Sequence, residues 1–148
     1  MITRTSLGTV EAQRAIAAGV ELAALHGQPM AFAVVDNVGA LIACLRMDGA
    51  PARILTHALR KAYTAAEMGR DTAEFGRNLH ARGGSLAQWG NRRLTTLPGG
   101  CTVFCNGEVI GAVACGGSPS AVDEEIAAAM SRAILDYNDR TQASTPAP

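Results

Sequence analysis

An α+β fold is predicted, with a central antiparallel sheet of four or five strands and helices packed on it. The first observation behind this prediction is that residues 31–45 and residues 101–115 each hold two short apolar runs around a turn. Such segments are typical of β-hairpins, whose strands pair antiparallel. The second observation is that helical patterns precede, separate and follow the two hairpins, so the sheet has helices that can cover it.

The first helix is predicted at residues 9–26. Thr9 can cap it, and Ile16 and Val20 are spaced to share one face among many alanines. Gly27 ends the helix, because glycine readily adopts the left-handed conformation that closes one. The abundance of alanine indicates a close approach to another surface.

The first hairpin follows this helix. Its apolar runs cover residues 31–35 and 40–45, and Asp36, Asn37 and Gly39 separate them. Valine and isoleucine favour strands, and the residues between the runs are typical of turns. A charged corner, Arg-Met-Asp-Gly, follows the second run directly.

Two more helices are predicted before the second hairpin. Residues 51–68 carry an apolar face and begin with a proline, which suits the first turn of a helix. A shorter helix begins at Asp71, since Asp71 and Glu74 have the spacing of a capping box. From residue 85 to residue 97 the pattern is weak.

The second hairpin gives the clearest local signal in the chain. Apolar runs at residues 101–105 and 109–115 are joined by an Asn-Gly pair, which is typical of a tight hairpin turn. The last helix is predicted at residues 119–137, with Ser118 as its cap and a proline at its first position.

One domain is predicted for residues 1–140, with residues 141–148 as a flexible C-terminal tail. The chain has 148 residues, of which 48% are hydrophobic, and this is enough for a packed core. Lysine plus arginine equals aspartate plus glutamate at 13 each, so neither nucleic acid nor an anionic membrane is an expected partner. No apolar stretch has the length of a membrane span, and the N-terminus lacks the apolar run of a signal peptide, so a cytoplasmic location is expected.

The four cysteines are Cys44, Cys101, Cys105 and Cys115, all in or beside the predicted strands. Cys101 and Cys105 are about 13 Å apart in an extended strand, which is too far for one disulfide or one zinc ion. The pattern favours small buried thiols in a reducing compartment. A pair facing each other across neighbouring strands is the alternative.

The candidate chemistry lies around the end of the first hairpin. Arg46 and Asp48 form the charged corner, and His57 and Lys61 are one turn apart on the helix that follows. An arginine can bind a carboxylate at two points, and a lysine or histidine beside it can move a proton. The alternative is a structural ion network of Arg46, Asp48 and Lys61.

Further candidates for a binding site lie elsewhere in the chain. Gly99 and Gly100 would let a ligand approach backbone N–H groups. Trp89, the only tryptophan, is either core packing or a binding platform, and Arg92 either binds an anion or faces water. His26 ends the first helix and is either a solvated histidine or a metal or haem ligand.

Several segments resemble one known protein family in both order and spacing. They are AFAVVDNVGALIACLRMDGA, HALRKAYTAA, LPGGCTVFCNGEVIGAVACGG and DEEIA. The family groups the glycolate-operon accessory protein, the extracellular haem-binding protein S of actinobacteria and the C-terminal domain of a propanediol-utilisation corrinoid adenosyltransferase. The resemblance runs from about residue 12 to residue 137.

The positions that match the family's motifs are Val34, Val35, Asp36 and Gly39, then Arg46, Met47, Asp48, Gly49 and Ala50, then Lys61, Ala62, Thr64 and Ala65, then Pro98, Gly99 and Gly100, and finally Asp123 and Glu124. The chain departs from the family where Val38 replaces a glycine and where Cys115 replaces a frequent serine. The resemblance implies a profilin-like, helix-flanked sheet, assembly into homo-oligomers from dimers to octamers, and binding of haem or a similar tetrapyrrole in some members.

Three functions remain open at this point. The first is a small-molecule-binding protein for haem or a corrinoid, with His26 or His57 on the metal and Arg46, Lys61 or Arg92 on propionates. The second is a cofactor-independent isomerase, cyclase or lyase for a small anionic or ring metabolite. There Arg46 is the anion clamp and Lys61 or His57 the acid/base, while the Gly99 and Gly100 amides steady an oxyanion. The third is a non-catalytic oligomeric accessory protein.

Overall fold

The computed structural model describes residues 1–144 and places four α-helices, one 3₁₀-helix and four strands within them. In chain order they are α1 (Thr9–His26), β1 (Ala31–Asp36), β2 (Leu41–Arg46), α2 (Ala52–Met68), α3 (Thr72–Ala81), a 3₁₀-helix (Leu86–Trp89), β3 (Gly100–Cys105), β4 (Glu108–Gly116) and α4 (Ser120–Ala143).

The four strands form one antiparallel sheet with the order β2-β1-β4-β3. Each predicted hairpin forms one half of this sheet, and the halves join where β1 pairs with β4. The predicted α+β class and strand number are therefore confirmed. Because β2 and β3 lie at the edges, each leaves one side of its backbone without a strand partner among residues 1–144.

Both faces of the sheet are covered by helices. α1 and α4 pack together on one face, where Phe32 and Val34 meet Met130 and Ile134. α2 covers the other face, and the buried centre of this contact consists mostly of alanines of the helix and of the sheet: Ala31, Ala33, Ala58, Ala62, Ala65, Ala66, Ala112 and Ala114. Small side chains allow a helix and a sheet to approach closely, so the alanine-rich composition has a direct packing role.

Helix starts differ from the predictions where a side chain has another partner. α4 begins after Pro119 as the N-cap, and Ser118 does not cap it. Asp71 precedes α3, but its carboxylate accepts the N–H of Thr102 in β3, so no capping box forms. At α1 the cap is Gly8, whose N–H is accepted by the Glu11 carboxylate.

The last helix is longer than predicted. α4 extends to Ala143, six residues beyond the predicted end at residue 137. The first part of the segment predicted to be a flexible tail is therefore helical, and residues 145–148 lie outside the described residues.

Candidate functional site

A buried ion pair lies where α2, α4 and the end of β4 meet. Lys61 is only 4% exposed, and its Nζ donates to Asp123 Oδ2 at 2.9 Å and to the carbonyl oxygen of Cys115 at 2.9 Å. The other carboxylate oxygen of Asp123 accepts the N–H of Ser118 at 3.1 Å. Each buried charge is therefore paired, as a low-dielectric interior requires.

Glycines surround the ammonium of Lys61. A Cβ added at Gly99 would lie 3.0 Å from Nζ and 2.8 Å from the Cβ of Asp123, and Gly99 has a φ of +110°. A Cβ at Gly116 would lie 3.6 Å from Nζ. Since neither residue has a side chain, Nζ is covered by backbone from these two directions and not by hydrocarbon.

The pair lines an open cleft of about 340 Å³, here called the Lys61 cleft. Its lining residues are Ile54, His57, Lys61, Leu97, Pro98, Gly116, Gly117, Ser118, Ser120 and Asp123. The predicted neighbours His57 and Lys61 thus share one cleft with Pro98, the first residue of the predicted Pro-Gly-Gly turn. Of its polar lining residues, Ser118, Ser120 and Asp123 were not proposed as site residues by sequence analysis.

Burial raises the pKa of the Asp123 carboxyl above its ordinary value of 3.8, more than the Lys61 ammonium and the Ser118 N–H lower it. Just above pH 3.8 the folded chain therefore binds more protons at this group than the unfolded chain does. The stability that this group contributes is largest below pH 3.8 and falls as pH rises through the folded-state pKa.

We expect a carboxyl ¹³C NMR titration to show one aspartate with a midpoint above 3.8, because desolvation disfavours the buried charge. Loss of that resonance in Asp123→Asn would assign it. A midpoint below 3.8 for Asp123 would contradict the expectation.

Arg46 and Lys61 are not brought into contact, contrary to the predicted clamp. The Cα partners Arg46, Ala31 and Gly116 form one row across the sheet, so two strand spacings, about 10 Å, separate Arg46 from the strand that ends at the cleft. Arg46 is exposed and donates to the carbonyl of Ala50. Asp123, and not Arg46, is the partner of Lys61.

The predicted oxyanion-binding role of the Gly99–Gly100 turn does not fit the structure. The N–H of Gly100 already donates to the hydroxyl of Thr72 at 2.9 Å, and Gly99 packs against the ion pair. Asp48 is exposed in the turn between β2 and α2. The proposed ion network of Arg46, Asp48 and Lys61 is therefore replaced by the Lys61–Asp123 pair.

The remaining predicted residues lie outside the cleft lining. Trp89 is 46% exposed and packs edge-on against Phe75, with ring centroids 5.7 Å apart. Arg92 is exposed, and its carbonyl accepts a hydrogen bond from Arg60. His26 is exposed in the last turn of α1. Neither Trp89 nor Arg92 shares the Lys61 cleft with His57.

A second concave surface, here called the α1–β2 groove, lies between α1 and the edge strand β2. It has a volume of about 570 Å³ and is lined by Gln13, Ile16, Ala17, Val20, Glu21, Cys44 and Leu45. Most of the lining is hydrocarbon, and Cys44 is an exposed free thiol. Sequence analysis did not find this groove, because it depends on where α1 lies relative to the sheet edge.

The other cysteines differ from Cys44. Cys101, Cys105 and Cys115 are free and at least partly buried, so the predicted cross-strand pair does not form. Burial raises the pKa of the Cys101 thiol to about 12 and raises that of Cys115 as well. Both thiols therefore stay protonated at neutral pH, which leaves them poor nucleophiles and poor metal ligands.

Within residues 1–144, no group of three or more histidine, cysteine, aspartate or glutamate side chains is placed to hold a metal ion. In the same part of the chain, none of the helices combines the length and hydropathy needed to cross a bilayer.

Comparison with known proteins decides the family. The family model described as haem degrading protein HbpS-like matches residues 7–132, which is most of the chain. This chain belongs to the HbpS-like family. The predicted family resemblance is therefore confirmed.

Three relatives illustrate the match. Protein GlcG of Escherichia coli K12 is 34% identical over 113 residues, which are 76% of this chain and 83% of GlcG. A double mutant of HbpS from Streptomyces reticuli has a crystal structure with a TM-score of 0.81, 30% identity and 89% coverage of each chain. A crystal structure of a PduOC–haem complex has a TM-score of 0.79 and 25% identity, covering 87% of this chain and 95% of that one.

Proposed function

We propose that this protein binds haem or a closely related tetrapyrrole in the α1–β2 groove. The observation that carries the proposal is the groove itself, an apolar surface of about 570 Å³ beside the exposed thiol of Cys44. Small-molecule sites are mostly apolar and span roughly 300–1,000 Å³. Membership of the HbpS-like family and the likeness to the PduOC–haem complex support this class of ligand.

The groove residues fit a porphyrin on chemical grounds. The faces of a porphyrin are broad and apolar, and Ile16, Val20 and Leu45 offer hydrocarbon to such a surface. Haem iron is held in proteins by a histidine imidazole or a cysteine thiolate, among other ligands, and Cys44 supplies a thiol at the groove wall. When bound, haem supplies an iron centre whose properties depend on that axial ligand.

His26, the other histidine proposed as a ligand, lies on α1 about one and a half turns beyond Glu21, the last helix residue that lines the groove. At 3.6 residues per turn it is on the side of α1 that faces away from the groove-lining residues. His57 lies on α2, on the opposite face of the sheet, so it does not belong to a site in this groove. Cys44 is therefore the candidate axial donor in this groove.

The three residues proposed to bind the haem propionates are not equally suited to that role. Lys61 already donates to Asp123 and to the Cys115 carbonyl, so it is not proposed as a propionate partner. Arg46 follows Leu45 on the edge strand, is exposed, and uses one of its five N–H groups on Ala50. Arg46 is therefore the better candidate, and Arg92 has no observed link to the groove.

The comparisons give no support to the isomerase, cyclase or lyase alternative. The arrangement that this alternative requires does not form. Arg46 donates to the Ala50 carbonyl and does not contact Lys61, and the Gly100 N–H donates to the Thr72 hydroxyl and not to an oxyanion. Homo-oligomer formation and corrinoid binding stay predictions that belong with the present proposal.

Haem titration of the purified protein is expected to produce a saturable Soret band. Cys44→Ser is expected to shift the band or weaken it, because the axial donor changes, whereas His26→Gln is expected to leave the band unchanged. Ala17→Trp is expected to lower haem affinity about tenfold or more, since an indole on this exposed position fills the groove.

Two control variants distinguish haem binding in the groove from a general effect of adding an indole or removing a thiol. Ala81→Trp adds the same indole at an exposed position outside the groove lining, and Cys105→Ser removes a thiol from β3. Both are expected to bind haem as the parent protein does. A flat titration of the parent protein, or equal binding by Ala17→Trp and Ala81→Trp, would overturn the groove proposal.

A further inference from the structure

Residues 91–98, here called the strap, connect the 3₁₀-helix to β3 and belong to no helix or strand. Gly90 and Gly99 bound the strap, and both have a positive φ, of +63° and +110°. Glycine moves between such conformations and others without a steric penalty from a side chain. The strap therefore has a flexible residue at each end.

The strap holds its own shape through internal hydrogen bonds. The side-chain oxygen of Asn91 accepts the N–H of Arg93 at 3.0 Å, and the Asn91 carbonyl accepts the N–H of Leu94 at 3.3 Å. Farther along, the hydroxyl of Thr95 accepts the N–H of Leu97 at 3.2 Å. Because these bonds lie within the strap, they can persist when the strap moves as one body.

One turn of α2 fastens the strap to the rest of the protein. The Arg60 guanidinium donates to the carbonyl oxygens of Arg92 and Leu94, each at 2.9 Å. The Thr64 hydroxyl accepts the N–H of Thr95 at 3.0 Å. Each bond joins the strap backbone to a side chain of α2, and water can replace that partner when the strap moves away. Arg60 binds two strap carbonyls at once, which makes it the central contact.

Tyr63, on the same turn of α2, contacts the strap through its hydroxyl and its ring. The hydroxyl oxygen accepts a hydrogen bond from the Asn91 side-chain amide at 2.9 Å. The Arg93 guanidinium lies over the ring, 3.6 Å from its centroid, which is a cation–π contact. These contacts are electrostatic in nature, like those of Arg60.

Little apolar surface holds the strap in place. Leu94 is 1% exposed and is buried, whereas Leu97 is already 45% exposed. Segments with few buried apolar contacts open locally at a lower free energy than the whole fold unfolds. We therefore expect the strap to be one of the segments of the chain that open most easily.

The C-terminal end of the strap covers the buried ion pair. Leu97 and Pro98 line the Lys61 cleft, which also exposes Asp123. Lys61 directly follows Arg60 in α2, so one turn of this helix supplies both the main strap contact and the buried ammonium. Movement of Leu97 and Pro98 would remove one wall of the cleft beside the ion pair.

We propose that the strap is a cover that opens as a unit about Gly90 and Gly99 and gives water and small solutes access to Lys61. Arg60 is the positioning residue that keeps the cover closed. The opening does not require the rest of the fold to unfold. This proposal concerns access to the Lys61 cleft and does not depend on which ligand the α1–β2 groove binds.

Hydrogen exchange and amine acetylation of the parent protein test the opening. Lys61 is the only lysine in the chain, so its reaction with acetic anhydride is followed on one peptide, with the exposed Met1 α-amino group as reference. The Thr95 amide reports strap opening, and the Val113 amide, in the interior strand β4, reports global unfolding. Below the urea unfolding transition, we expect an opening constant at Thr95 at least about tenfold larger than at Val113. Thr95 exchange and Lys61 acetylation are both expected to be nearly independent of urea, because strap opening exposes little surface.

Two results would overturn the proposal. An equal urea dependence at Thr95 and Val113 would show that the strap opens only when the whole fold unfolds. Lys61 acetylation that follows Val113 while Thr95 does not would show that the strap opens without uncovering the ion pair.

Arg60→Met is expected to raise both the Thr95 exchange rate and the Lys61 acetylation rate about tenfold or more, because two charge-assisted hydrogen bonds to the strap are lost. Both rates are expected to stay nearly independent of urea, which a general loss of stability would not produce. Arg53→Met removes an exposed arginine of the same helix and is expected to change neither rate.

Tyr63→Phe replaces Arg60→Met as the test if the latter does not fold. It removes only the hydroxyl that accepts from Asn91, and it is expected to raise both rates about threefold. Unchanged rates in Arg60→Met, or in Tyr63→Phe where it is the variant used, would contradict the proposed fastening of the strap by α2.

Discussion

Replacing Lys61 with methionine is expected to lower the free energy of unfolding by about 3–5 kcal/mol, because a buried carboxylate loses its counter-ion. Lys61 and Asp123 are each about 5% exposed as side chains, so water cannot replace the lost ammonium without opening the structure. The Cys115 carbonyl also loses a donor. Urea denaturation of the variant and the parent protein at pH 7 measures the difference.

A double variant separates the charge from the packing. Lys61→Met with Asp123→Asn removes both charges and keeps an oxygen that can accept the N–H of Ser118. Because replacing both members of a buried pair is often nearly neutral, the double variant is expected to recover most of the loss. If it is as unstable as Lys61→Met alone, the methionine side chain and not the unpaired charge is responsible.

The elements with local signals were predictable from the sequence. An Asn-Gly pair between two apolar runs gives the β3–β4 hairpin because those residues tolerate the positive φ of its turn, which is observed at Asn106 and Gly107. The first hairpin, α1 and α2 likewise agree with their predicted bounds to within a residue or two. In each case the deciding interactions are short-range along the chain.

The Lys61–Asp123 pair was not predictable in the same way. Its members are 62 positions apart and come together only when α2 and α4 approach β4 from different sides. The sequence showed that Lys61 and Asp123 both fall in family motifs, but not that they meet. A lysine among the apolar residues of α2 indicates that the folded protein supplies a buried counter-ion, but the sequence does not identify which residue it is.

Competition for partners explains the errors at helix caps. Asp71 has the spacing of a capping residue, yet its carboxylate bonds to the sheet at Thr102, where it satisfies an N–H at the edge. Ser118 uses its N–H on Asp123 and not its hydroxyl on the helix. Propensity identifies residues that can cap, but tertiary contacts decide which of their atoms are free to do so.

The groove and the cleft share one physical origin. Each is bounded by a helix that packs on the sheet, the groove by α1 beside β2 and the cleft by α2 beside β4. The groove is apolar because it borders the core of the α1–α4 face. One end of the cleft is polar because it holds the end of a strand, the start of a helix and the ion pair, whereas Ile54, Leu97 and Pro98 line the rest with hydrocarbon.

Replacing Gly99 with alanine is expected to lower the free energy of unfolding by about 2–5 kcal/mol, combining backbone strain with overpacking. Gly99 has a φ of +110°, which L side chains rarely adopt. Its new methyl group would lie 2.8 Å from the Cβ of Asp123 and 3.0 Å from both the Cys115 carbonyl oxygen and Lys61 Nζ. Neither the backbone carbonyl nor the paired ammonium can move without disturbing the ion pair. Thermal and urea unfolding measure the loss.

Gly107→Ala is the matched control. Gly107 has a φ of +80°, and a Cβ there would meet no atom within 4 Å, so this variant reports backbone strain without crowding. It is expected to cost about 1–2 kcal/mol. The excess loss in Gly99→Ala then measures the crowding of the ion pair, and the Asp123 carboxyl resonance is expected to move in Gly99→Ala alone. Equal losses in the two variants, with an unmoved Asp123 resonance, would show that Gly99 is required only for its backbone conformation.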